Sequence, residues 1–310
     1  MITVLAGGVG AARLLAGLIQ VVDPAELTAV VNTGDDLVLH GLEISPDLDT
    51  VTYTLAGAID PERGWGLAGE SWQAMESLRR FGGDAWFNLG DRDLGTHLYR
   101  TTRRHEGATL SEVTAEITAA WGLGLRLLPV TDDPLQTRVT VETDGEIGFQ
   151  EYFVQRQHSV AVSAVRFDGA AKAAPAPGVL DAIASAGRVV IAPSNPIVSI
   201  GPLLAVPGVR DAVVARRDDV VAVSPIVAGA ALKGPADRLM TELGHEASVV
   251  GVARIYAELA GTLVIDEADA ELADAVEAEG VRCVVAPTIM SSPQRSAALA
   301  RVVLESGVRS

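Results

Sequence analysis

Three consecutive stretches decide the fold: "ITVLA" (2–6), "GGVGAARLLAGLIQVV" (7–22) and "LTAVVNTGDD" (27–36). The first is a short apolar run ending in glycines, which suits a buried strand. The second places Leu14, Leu15, Leu18 and Ile19 on one helical face. The third is another apolar run that passes into a polar loop. Together they predict a βαβ unit. The end of the chain repeats the alternation with "TLVID" (262–266), "DAELADAVEAEG" (269–280), "RCVVAPT" (282–288) and "SPQRSAALARVVLESG" (292–307). Between the ends lie two more buried-looking runs, "RVVIAPSNP" (188–196) and "VVAVSPI" (220–226). These six apolar runs predict an α/β fold, a doubly wound, mostly parallel Rossmann-like sheet with helices on both faces.

The middle reads differently. Residues 60–122 carry helical patterns such as "SWQAMESLRRF" and "LSEVTAEITAAWG", and 137–167 alternate polar and apolar around "TDG" (143–145), a β-hairpin signal. The expectation is a Rossmann-like core from 1–60 and 176–310 with an inserted helical and β-hairpin cap over 61–175. "AKAAPAPG" (171–178) reads as the flexible return.

Composition narrows the function. The 310 residues are 48% hydrophobic but only 4% aromatic, so Ala, Val and Leu fill the core. A net charge of −16 with no basic block excludes a nucleic-acid polymer as main partner. The single cysteine, Cys283, sits in an apolar run and excludes an internal disulfide or a multi-thiolate metal site. A start on a strand and the lack of any membrane-length apolar run lead to the expectation of a cytoplasmic protein without a membrane partner.

Ligands of open α/β sheets bind beyond the carboxyl ends of the strands. Here those ends are Gly7-Gly8-Val9-Gly10, Asn32-Thr33-Gly34-Asp35-Asp36, Pro193-Ser194-Asn195-Pro196 and Ser224-Pro225. Each alone is ordinary turn chemistry, but jointly they predict one rim. The glycine loop suits a phosphate at a helix N-terminus, or simply a tight turn with close helix–strand packing. A nicotinamide cofactor is disfavoured. Arg13 stands where the third glycine of that fingerprint belongs, and the second strand ends in Asn32, not in a ribose-binding acid.

Acids crowd the same end of the chain. In "ISPDLDT" (44–50), Asp47 and Asp49 would point the same way from an extended segment, and Asp35 and Asp36 precede them. Ser45 or Asp49 can cap the helix that follows, or the acids can hold a hard divalent cation over a phosphate. "NLGDRDLGTHLYRTTRR" (88–104) adds Asp91, Arg92, Asp93, His97 and Arg100. The last three share a helical face, and Arg92 is the candidate fork for an anion. A solvated helix start with an acidic cap explains the same pattern. Lys233 beside Gly234 is a further cation, and His40 follows the acidic loop.

At this point the residues carry a resemblance. "GGVGAARLLAGL", "VVNTGDD", "LEISPDLDTVTYTLAG", "NLGDRDLGTHLYRT", "LPVTDDPLQTRV", "FQEYFV", "APSNPIVSIGPLL", "AVSPIV" and "LKGPADRLM" follow in this order. Nearly end to end, the chain resembles the 2-phospho-L-lactate transferase family of coenzyme F-420 biosynthesis. Val9-Gly10-Ala11 departs from it where the family often has Thr, as does the small-residue stretch before Lys233.

The resemblance implies a transferase whose acceptor is the ribityl hydroxyl of the deazaflavin precursor Fo. Its donor is a guanosine diphosphate-linked three-carbon acid, and GMP is released. The Ala/Val/Arg-rich composition resembles the actinobacterial branch, which uses the enolpyruvyl donor and gives dehydro coenzyme F-420-0. Mg2+ and a homodimer come with the family. By motif match, Asp49 and Asp47 serve magnesium or the hydroxyl proton. Gly7, Gly8, Gly10, Asn32, Asp35, His40, Asp91 and Arg92 frame the substrates, with Ser194, Asn195 and Lys233 on the donor. Trp65, Trp72 and Trp86 would cover the deazaflavin ring. The alternative is a non-enzymatic regulator of the gluconeogenesis-factor-like family that binds nucleotide sugars.

Overall fold

The computed structural model describes residues 1–142 and 144–306. Its centre is a seven-stranded sheet, with strands labelled in chain order β1 (Ile2–Ala6), β2 (Leu27–Val31), β3 (Arg126–Pro129), β4 (Arg188–Ile191), β5 (Val220–Val223), β6 (Thr262–Ile265) and β7 (Arg282–Val285). The spatial order is β7-β6-β5-β4-β1-β2-β3, and every pairing is parallel. The chain leaves β1 toward β2 on one side and later returns to β4 on the other, so the topological switch point lies between β1 and β4.

Strand alternation separates two apolar layers. Leu5, Val30, Ile191, Ala222 and Leu263 face one side, with Ile183, Val213 and Tyr256 from the helices packed there. Val4, Ala6, Ala29, Val31, Val190 and Val221 face the other. On that second face lie α1 (Gly8–Leu18), α2 (Pro46–Leu55) and the C-terminal helix Pro293–Glu305. Such side chains are the main driving force, roughly 1.5–3 kcal/mol for each fully buried Leu, Ile or Val. Gly17 lets α1 cross the C-terminal helix closely, because a Cβ there would lie 2.2 Å from the Ser296 carbonyl oxygen.

The six expected strands are all present, and the structure adds β3. Its four residues come from inside the stretch 61–175, so part of that stretch belongs to the sheet. The rest of it is not part of the central sheet, although the helix Leu110–Ala120 packs along β3 and its Leu110 joins the core on the second face. It comprises α3 (Gln73–Arg80), α4 (Asp93–His105), α5 (Leu110–Ala120) and a three-stranded antiparallel sheet. In that sheet Gln136–Val141 pairs with both Gly145–Gly148 and Val162–Asp168. The hairpin therefore falls where "TDG" places it, although Thr143 itself lies outside the described residues, as do Gly307 at the end of the last helical run and the three residues after it. A Thr109–Glu112 capping box starts α5. No helix among the described residues is long and apolar enough to cross a membrane.

Candidate active site

All four marked loops line one cavity of about 560 Å³, through Gly8 and Gly10, Asp35, Ser194 and Asn195, and Ser224. That volume suits a substantial small molecule. The loops meet closely because Gly10 has no side chain: a Cβ there would sit 2.2 Å from the Pro193 carbonyl oxygen. Ser194 locks the contact, its hydroxyl donating to the Gly7 carbonyl at 2.8 Å and accepting from the Gly7 N–H at 3.3 Å. Asn195 accepts from the N–H groups of Ile197 and Val198 at 2.9 and 3.3 Å, while its Nδ2 is buried without a partner among the described residues.

Asp47 and Asp49 do not point the same way. The segment is the first turn of α2, opened by Pro46, where two residues span about 200° of rotation. Asp47 turns to the glycine loop. Asn32 Nδ2 donates to its Oδ2 at 3.0 Å, and the same oxygen would lie 3.0 Å from a Cβ on Gly7. Asn32 is itself buried and accepts from the Gly34 N–H at 2.8 Å. Neither expected cap forms: the Ser45 hydroxyl donates to Asp36 at 2.7 Å.

Asp49 turns to α4. Both its oxygens accept from Arg100, Oδ2 from Nη1 at 3.1 Å and Oδ1 from Nη2, and both residues are buried. His97 lies between two acids, its Nδ1 3.7 Å from Asp49 Oδ2 and its Nε2 3.5 Å from Asp93 Oδ2. Tyr53, one turn after Asp49 on α2, donates to Asp93 Oδ1 at 2.5 Å. Asp93, His97 and Arg100 thus share the inward face of α4, as their spacing suggests.

Other expected residues stand elsewhere. Asp91 caps α3, accepting from the N–H groups of Gln73 and Ala74 at 3.0 and 3.1 Å. Arg92 donates to the Ala68 carbonyl. His40 is exposed at the left-handed turn of the ribbon Leu37–Leu39/Leu42–Ile44, beside Gly41. None of these three lines the cavity, whereas Lys233 does, packed against Gly64. Of the expected tryptophans only Trp65 lines it. Trp72 packs edge-on to Trp65 with Arg63 over both rings. Sequence reasoning missed Tyr53, Arg13, Phe149 and Phe153 on the wall. Tyr53 left a helical signal, four residues after Asp49 on the same face, and Phe149 and Phe153 stand in the motif "FQEYFV".

The electrostatics are one-sided. Burial pushes Asp35 well above the usual carboxylate range, and Asp47 and Asp36 beside it add to the effect. Burial raises Asp47 to about 6, against the Asn32 amide and the Gly8 backbone. Burial also raises Asp49, against the pull of Arg100 and His97. Burial works the same way at Asp93, yet His97 and the Tyr53 hydroxyl hold that group below its ordinary value. Asp49, Asp93 and His97 each offer a ligand atom, all within 4.8 Å of one another, and His97 Nε2 is buried without a hydrogen-bond partner among the described residues. Two carboxylates beside an orphaned imidazole nitrogen fit a divalent cation.

The raised carboxyls predict a pH dependence. An acid whose folded pKa exceeds its unfolded value of 3.8 contributes stability that is fully present below 3.8 and lost as pH rises through the folded value, about 6 for Asp47. Ordinary surface carboxylates are already ionised by pH 5. Chelator-treated protein should therefore lose on the order of 1–2 kcal/mol between pH 5 and 7. Magnesium should raise the melting temperature more at pH 7.5 than at pH 5. Calorimetry in EDTA showing a higher melting temperature at pH 7 than at pH 5 would contradict the assignment.

A parallel doubly wound sheet with buried acids, an arginine and a glycine-opened helix around its switch-point crevice defines an α/β protein with a small-molecule cavity at the carboxyl edge. Comparison with known proteins makes the class particular: the family model described as 2-phospho-L-lactate transferase CofD matches residues 2–292, and the chain belongs to that family. It is accordingly a transferase of coenzyme F-420 biosynthesis. A Streptomyces griseus protein named phosphoenolpyruvate transferase is 48% identical over 98% of this chain and 97% of its own length. Proteins of the same name from Streptomyces coelicolor and Mycolicibacterium smegmatis are 46% and 43% identical over 98% of this chain, covering 97% and 98% of their own lengths. A crystal structure of a Bacillus halodurans protein shares the fold at a TM-score of 0.63, with 16% identity and 98% of each chain covered.

Proposed function

We propose that the chain moves a phosphoenolpyruvyl group from enolpyruvyl-diphospho-5'-guanosine to the ribityl hydroxyl of Fo, releasing GMP and giving dehydro coenzyme F-420-0. The observation that carries this reading is the pairing of two features in one cavity: a glycine-opened helix at the switch point, and buried acids with a free imidazole nitrogen opposite it. The name shared by relatives 42–48% identical over nearly their whole length supports the enolpyruvyl donor over the 2-phospholactyl one.

In the proposed reaction the alcohol oxygen bonds to the phosphorus bearing the three-carbon acid, and the bond from that phosphorus to the GMP oxygen breaks. Asp47, raised to about 6, is suited to accept the hydroxyl proton near neutral pH. Asp49, Asp93 and His97 would hold Mg2+, with water completing its shell. When bound, the ion supplies charge compensation to the phosphate oxygens. Lys233, the α1 N-terminus and the Asn195 amide are the groups proposed for the guanosine diphosphate part. The stacked rings of Phe149 and Phe153, 5.7 Å apart, offer a flat apolar wall, and we assign the inserted stretch that carries them and Trp65 a covering role. A homodimer in the cytoplasm completes the reading carried by the resemblance.

The test is turnover with Fo, Mg2+ and each guanosine donor, read by mass. The expected product is the enolpyruvyl diester. Product from the lactyl donor alone would reassign the donor, and no product from either would overturn the reading.

A further inference from the structure

Besides the approach of His97 to Asp49, two side-chain bridges tie α2 to α4, and they differ in kind. One is the ion pair of Asp49 with Arg100. The other is Tyr53, whose hydroxyl meets Asp93 Oδ1 at 2.5 Å and Thr96 Oγ1 at 2.8 Å. A phenol has one proton, and a carboxylate only accepts. The proton therefore goes to Asp93, and the threonine hydroxyl can donate back to the phenol oxygen. The Tyr53 ring is 1% exposed and packs edge-on to Trp121 at 5.8 Å, so the hydroxyl has little freedom to wander. On its other side, the Asp93 main-chain N–H donates to the Glu70 carboxylate, to Oε1 at 2.9 Å. Backbone and Oδ1 are thereby fixed, and Oδ2 is left facing His97.

We propose that Tyr53 is a positioning residue for the Asp49–Asp93–His97 group. It holds Asp93 so that Oδ2, His97 Nε2 and the Asp49 carboxylate converge on one divalent cation. The proposal rests on the cation reading given above. The three ligand-bearing side chains come from two helices, Asp49 from α2 and the other two from α4. Their spacing therefore depends on what fixes one helix against the other. Arg100 fixes Asp49 through charge, and Tyr53 fixes Asp93 through a single directed hydrogen bond. Partners of this kind, one bond behind the ligands, typically change metal affinity about 10–100-fold when removed.

The experiment titrates Mn2+ into the full chain, following free Mn2+ by electron paramagnetic resonance, for the native protein, Tyr53→Phe and Asp93→Asn. Tyr53→Phe should weaken Mn2+ binding about tenfold or more. Because it acts through cation affinity, raising Mg2+ should also restore its turnover, with the KM for Fo unchanged. Circular dichroism at the titration temperature establishes that the variant is folded, so a packing defect alone would not produce the Mg2+ rescue. If Asp93→Asn loses Mn2+ and Tyr53→Phe keeps native affinity, the positioning role is overturned while the cation reading stands. If Asp93→Asn also binds as the native protein does, the cation reading fails and the Tyr53 proposal with it.

Discussion

Asp49→Asn should lower turnover of Fo with the guanosine donor by roughly 10³-fold, the scale of losing one preorganised electrostatic partner of a transition state. The substitution is isosteric. It removes the negative charge while leaving one oxygen to accept from Arg100, which now contacts both Asp49 oxygens. Fo binding should change little, since the ring is expected against apolar and aromatic wall residues such as Phe149 and Phe153. The measurement is a split: Fo affinity from the quenching of its own fluorescence, and single-turnover rate at saturating donor and magnesium. Near-native rates would remove Asp49 from the chemistry and leave it as the structural partner of Arg100.

How much of this was legible beforehand follows physical lines. The six apolar runs show because strands of a parallel sheet are buried on both faces and read as continuous hydrophobic segments. Their loops show because glycine, asparagine and proline are the residues that sharp turns and close approaches require. β3 did not show, because between Arg126 and Pro129 it offers only Leu127 and Leu128, with none of the β-branched residues that mark the other strands. In the site, helical spacing placed Asp93, His97 and Arg100 on one face, but nothing local says whether that face looks inward. That depends on α4 packing against the ribbon strand Leu42–Ile44, as when the Thr101 hydroxyl accepts from the Glu43 N–H at 2.8 Å. The neighbouring pair Asp91 and Arg92 has the same chemistry in sequence and went to a helix cap and a loop carbonyl. For Asp47 and Asp49 the error was one of period. A strand period would align them, whereas the helix that Pro46 opens separates them onto different partners.

Arg100→Met should be the most destabilising single change in the site, by about 3–5 kcal/mol, because it strands the Asp49 carboxylate in a buried setting. The reverse change, Asp49→Leu, strands the guanidinium, which is 2% exposed and among the described residues has otherwise only His97 Nδ1 and the Glu43 carbonyl, each at 3.3 Å. It should cost a similar amount. The double variant removes both charges, and replacing a buried ion pair by apolar side chains of similar volume is often neutral or stabilising. Its urea unfolding free energy should therefore lie within about 2 kcal/mol of the native value, far from the sum of the single costs. Turnover should not recover with it. That divergence follows from the pair having two tasks. Clamping α2 to α4 can be done by apolar packing, whereas presenting a carboxylate beside Asp93 and His97 cannot. Single costs that simply add in the double variant would mean that the two side chains do not sense each other's charge, and the clamp would then have to be sought in the Tyr53–Asp93 bridge alone.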